Sequence, residues 1–190
     1  MKLKEAFISV FVVIVLFGCG CLEGNEEVKG FSASKHYPTA KIRAQETGRT
    51  LVLVVVTAED PQDAGRAMKW KYAYNDITSG YPLSSYTFEA DTEGNILENT
   101  GEPLSKDPIK NWSVDSTTAF SLAREEMMER ELINEANDVH VDYIYLLGDN
   151  EENNGCEWSI GTSPYEEATS DLHITVDGST GEVLSIKSSK

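Results

Sequence analysis

Positive charge is scarce in this sequence: 16 Lys and Arg stand against 32 Asp and Glu, a formal net charge of −16. Nucleic acid is therefore a poor partner, because phosphate binding requires Lys and Arg gathered on one face. Cysteine is also sparse, with three in 190 residues and no C-x-x-C pair. Neither a thioredoxin-like redox motif nor a zinc ribbon is encoded. Histidine is limited to His36, His140 and His173. No G-x-S-x-G, H-E-x-x-H or phosphate-cradling glycine loop occurs, which removes the familiar hydrolase, metalloprotease and nucleotide-binding signatures. No apolar run reaches the roughly 20 residues that a bilayer-spanning helix needs.

What is present suits a packed protein. Hydrophobic residues make up 40% and charged residues 25%, globular values for one ordinary domain or two small ones. The charge is unevenly placed. Residues 22–110 carry 10 basic and 14 acidic side chains, whereas residues 111–190 carry 4 and 17. The acidic second half reads as a solvated, self-repelling surface. The other reading is a face that binds cations or a basic partner.

The amino terminus has the layout of a secretory signal. Lys2 and Lys4 form a basic start, residues 6–17 are almost unbroken apolar, and Gly18-Cys19-Gly20-Cys21 follows. Residues 1–18 are thus expected to be a signal peptide. Leu16-Phe17-Gly18-Cys19 resembles a prokaryotic lipobox, with a small residue before the cleaved bond and the acceptor thiol after it. Cys19, with Leu at −3, fits better than Cys21, whose −3 residue is Gly18, so Cys19 is the expected lipid attachment site. The alternative is an uncleaved amino-terminal anchor. Both place the protein at the cell membrane, facing outside the cytoplasm. Residues 19–36 lack hydrophobic period and are rich in Gly, Ser and charge, as expected of a flexible lipid-anchored tether. In an oxidising setting Cys156 reads as free or buried rather than paired with Cys21.

Residues 37–110 suggest a first α+β module with its linker. Pro38 and Gly48 bracket a short helix, and residues 51–56 (LVLVVV) read as a buried strand. Residues 61–65 read as a loop. Trp70, Tyr72 and Tyr74 alternate with Lys69, Lys71 and Ala73, placing aromatics on one face. Phe88 and Ala90 continue the pattern, and residues 91–95 make a turn in which Gly94 takes positive φ. Residues 98–110, with two prolines and no period, connect the halves. Asn111-Trp112-Ser113 ends this stretch as an N-x-S sequon.

Residues 111–190 suggest a second module. Asp115 and Ser116 are both good caps for a helix whose stripe is Ala119, Phe120, Ala123 and Met127, running to about residue 134 or 136. Val139, Val141, Tyr143 and Tyr145 then alternate with His140, Asp142 and Ile144. Trp158 and Ile160 share a face, as do Leu172, Ile174 and Val176. Residues 177–181 (DGSTG) make a tight hairpin turn. The expected fold class is α+β, a helix packed on an antiparallel β-meander in each of two similar modules.

Two stretches carry a family resemblance: Trp112-x-Val114-Asp115-Ser116-x-x-Ala119-x-x-x-Ala123, and Ile174-x-Val176-Asp177-x-x-Thr180-Gly181-Glu182-Val183-Leu184. Together they resemble a PepSY-type domain over about 75 residues of the module at 111–190. Such domains occur in protease propeptides and in many secreted or lipid-anchored proteins. The resemblance implies a protein that binds, inhibits or chaperones a protease or another envelope protein. In the first half, Trp70 and Asp91 precede Trp158 and Asp177 by 88 and 86 residues, the spacing of a degenerate tandem repeat. The alternative is one continuous sheet using both hairpins.

Sites are few. His140, Asp142 and His173 would gather as metal ligands only under one strand register. The pairs Glu151-Glu152 and Glu166-Glu167 lie in polar loops unsuited to raised carboxyl pKa values. No catalytic, cofactor-binding or metal-ligating residue is assigned. The expectation is a non-enzymatic, lipid-anchored binding or regulatory protein, and the alternative is a metal- or cation-binding protein using its acidic half.

Overall fold

In the computed structural model, residues 29–133, 139–148, 155–164 and 171–188 are described. Each half opens with a helix. Pro38 starts α1 (Tyr37–Glu46), where its missing N–H has no helical partner to lose, and Ala40 and Ala44 turn inward. Four strands follow: β1 (Leu51–Gln62), β2 (Arg66–Asp76), β3 (Ser85–Ala90) and β4 (Ile96–Gly101), with a 3-10 turn Asp63–Gly65 between β1 and β2. The second half repeats that order with α2 (Ser116–Glu129), β5 (Val139–Gly148), β6 (Cys156–Pro164), β7 (Leu172–Asp177) and β8 (Val183–Ser188).

All eight strands join one antiparallel sheet, ordered β4-β3-β2-β1-β5-β6-β7-β8, so the architecture is α+β as expected. The two meanders meet through β1 and β5, where Val55, Val56 and Thr57 face Leu147, Leu146 and Tyr145. Alternation then decides both faces. One cross-strand row is Phe88, Tyr72, Val56, Leu146, Trp158 and Val176, all fully buried. The inward sides of α1 and α2 complete a single core with it. Trp70 and Trp158 meet edge-on at 6.2 Å, and Trp158 meets Trp112 at 6.1 Å, tying the halves together. Each such pair adds about 0.5–1.5 kcal/mol beyond simple burial. The next row belongs to the other face: Glu89, Lys71, Thr57, Tyr145, Ser159, Thr175 and Ser185. No helix covers it.

Several expectations are corrected. Residues 61–65 are not simply a loop, because β1 runs to Gln62 and pairs Pro61 with Ala67. Beyond Thr57, β1 has β2 on one side only, and a strand edge tolerates proline. Similarly, β4 extends to Gly101, past the start expected for the linker.

Helix α2 stops at Glu129 rather than near residue 134. Glu131 turns left-handed (φ 58), its N–H donates to Met128 O, and the Leu132 N–H donates to Met127 O. This is a Schellman cap built without glycine.

In β5 the register shifts between Val141 and Tyr143, making Asp142 an extra, bulged residue. Val139 and Val141 point inward as expected, but beyond the bulge Ile144 and Leu146 are buried. Tyr143 and Tyr145 are turned to the uncovered face.

Residues 29–36 differ from a free tether. Phe31 and Ala33 are buried, and Phe31 forms a two-bond antiparallel bridge with Ala67. The Trp70 indole donates to Phe31 O and the Tyr72 hydroxyl donates to Ala33 O. From α2, Ser116 Oγ accepts the Ala33 N–H and Asp115 Oδ1 accepts the Ser34 N–H. The Asp115 side chain therefore makes no cap of its own helix, being spent on a segment 81 residues away. Residues 1–28, with Cys19 and Cys21, lie outside the described residues.

Candidate functional site

The uncovered face is most elaborate over β5, β6 and β7. Gly161 of β6 sits opposite both Tyr143 and His173. A Cβ at Gly161 would lie 2.1 Å from Tyr143 Cε1, so the glycine lets that ring lie flat across the strand. Thus positioned, the Tyr143 hydroxyl is 2.6 Å from His173 Nδ1. Tyr143 also stacks on Tyr145 with centroids 5.5 Å apart. On the far side of the imidazole, Ser159 Oγ stands 3.4 Å from Nε2. The tautomer of His173 decides which way each hydrogen points. Burial, with help from Tyr145 and Asp142, raises the Tyr143 pKa, so this phenol stays protonated at neutral pH.

Two shallow recesses, of about 370 and 340 Å³, meet at His173. The first is walled by residues 105–107 of the connector, which crosses this face. Asp107 forms a bridge with Gly148, where a Cβ would lie 2.2 Å from Asp107 O. The connector is held further along by Asn75, whose side chain bonds Leu104 through both its N–H and its carbonyl. Toward β2 the same face carries Lys69 and Lys71, interleaved with Glu59 and Glu89. Being partly exposed, these pairs add little stability, but they give the surface an alternating charge pattern.

The two stretches singled out by sequence are brought together on the helix side. Gly178 O accepts both the Ser113 and Val114 N–H groups, and Val114 O accepts the indole N–H of Trp112 and of Trp158. In the hairpin turn Asp177 Oδ1 accepts the amides of Ser179 and Thr180. Burial pushes the Asp177 carboxyl up, but those bonds outweigh it and hold it below the usual range. These contacts hold the hairpin to the start of α2 and line neither recess.

Of the residues weighed as metal ligands, Asp142 and His173 line the same recess, each turned to another partner. Asp142 accepts from Ser163 and His173 faces Tyr143. Among the described residues no group of three or more His, Cys, Asp or Glu side chains could hold a metal ion. The acidic loop residues Glu151, Glu152, Glu166 and Glu167 lie outside the described residues. Cys156 is free and buried, and burial pushes its thiol up to about 11, so it is unreactive at neutral pH. The Tyr143–His173–Ser159 group escapes sequence reasoning because the bulge at Asp142 reverses the phase of β5. Gly161 was its one local signal.

No family model matches the chain, and no curated protein matches it in sequence. A solved structure, that of a candidate lipoprotein from Clostridium difficile 630, matches with a TM-score of 0.53 and 15% identity. The match covers 87% of this chain and 97% of that one. At such identity the likeness is one of fold.

Proposed function

We propose that this chain is a lipid-anchored extracytoplasmic protein that binds another protein on the uncovered face of its sheet. One observation carries the reading: helices shield one face, while the other holds an exposed tyrosine, Tyr143, stacked on the half-buried Tyr145, and hydrogen-bonding side chains beside a strapped connector. Aromatic and polar groups on a rigid support are what protein interfaces favour. The lipobox-like residues 16–19 and the fold shared with a candidate lipoprotein support anchoring outside the cytoplasm. The PepSY-like stretches favour a protease or another envelope protein as the partner class.

Binding fits better than turnover. Ser159 is 7% exposed and its 3.4 Å approach to His173 is long for nucleophile activation. The group on the other imidazole nitrogen is a neutral phenol rather than a carboxylate.

Two measurements test this. Acyl labelling should be present in the full chain and absent in Cys19→Ser; labelling that persists in the variant removes the anchor at Cys19. A photocrosslinking residue at Tyr143 should trap a defined envelope protein, and Lys71→Glu with Tyr145→Ala should weaken that capture. If Tyr143 traps nothing and a purified protease panel is unaffected, the binding reading fails.

A further inference from the structure

A further recess lies on the helix side, between α1 and the connector, with a volume of about 500 Å³. That size falls in the range of small-ligand sites. Its floor is the start of β1, where Leu53 O is paired with the Ile109 N–H of the connector instead of with β5. Leu51, Leu53, Ala44 and Ile109 give it an apolar body.

Two features bear on what this recess could hold. First, its lining includes Lys41, Arg49 and Lys110 and no acidic side chain, in a chain of net charge −16. Arg49 is already paired with Asp76 at 2.6 Å, and Lys41 is exposed on the rim. Second, Tyr74, which lines the recess, is 4% exposed and its hydroxyl is buried without a hydrogen-bond partner. Tyr37 is a polar neighbour close enough to interact with it, but the contact falls short of ordinary hydrogen-bond geometry. A buried hydroxyl without a full partner is destabilising, and an incoming acceptor would relieve it.

We infer that this recess binds a small organic acid, its carboxylate at the Lys41 rim and near the Tyr74 hydroxyl, its apolar body along Leu51 and Leu53. The site is distinct from the uncovered face and does not depend on what binds there.

Calorimetry on the full chain in phosphatidylcholine nanodiscs tests it, with octanoate as the probe and heats from empty nanodiscs subtracted. Octanoate should bind saturably at one site, whereas octanol and octylamine should not. Exposed Lys41 can be replaced without disturbing the fold, and Lys41→Glu should weaken octanoate about tenfold. Tyr74→Phe should also weaken it by about tenfold, while leaving Tm equal or higher because an unpartnered hydroxyl is removed. The inference is overturned by no saturable heat up to about 10 mM octanoate. Equal binding of octylamine, or an affinity unchanged in Lys41→Glu, also overturns it.

Discussion

Gly161 shows how much one missing methyl group can decide. A Cβ there would overlap the outer edge of the Tyr143 ring, and that ring, 38% exposed, can swing away. Gly161→Ala should therefore leave stability within about 1 kcal/mol, since clearing the ring costs little and alanine restricts the unfolded chain. The Tyr143–His173 bond should be lost, and the ¹⁵N shift of His173 Nδ1 reads that directly. Asp177 gives a second test at this scale. Its carboxyl is held below the usual aspartate pKa of about 3.9, so the unfolded chain binds the proton more readily. The stability it contributes is present above that pH and is lost as pH falls through the folded value. In Asp177→Asn, urea denaturation between pH 5 and 2 should show a shallower loss than in the parent chain.

Among the elements, the end of α2 rests on a residue that local preference would not choose. Glu131 occupies the left-handed position of a Schellman cap, which costs a non-glycine residue about 1 kcal/mol or more. Glu131→Gly should raise stability by about 0.5–1 kcal/mol in thermal denaturation, part of the relief being offset by a freer unfolded chain.

The same position explains why the helix end was illegible: no glycine marked it. What sequence made legible was period. Trp70, Tyr72 and Tyr74 alternated cleanly and are all buried, and the turn at Gly94 takes φ +87 as its chemistry required. Where one residue is inserted, as at Asp142, the period changes phase and every later assignment in β5 inverts. Bonds spanning 81 and 83 residues, from Asp115 to Ser34 and from Ser116 to Ala33, leave no local trace at all. The polar group on the uncovered face was hidden for both reasons.

At the scale of the molecule, the two meanders share only three register pairs at β1 and β5. The remaining union is made by side chains, by residues 31–34 and by the connector, which bridges Gly148 through Asp107 and bonds Leu53 through Ile109. Phe31 bridges to β2 and is 3% exposed. Phe31→Ala should cost about 3–5 kcal/mol, as large core truncations do, and lower the urea midpoint cooperatively for both halves. If only the first half were to unfold early, the segment would not be a joint between them.

That joint has a mechanical consequence. A chain held at its amino terminus takes any pull at Phe31, whose two backbone bonds to Ala67 lie beside Trp70, at the end of β2 that β3 does not cover. Force entering there divides at once between β2, through Tyr72, and α2, through Ser116. The molecule would resist as one body, and its rupture point would be this short clasp, not an outer strand peeling away.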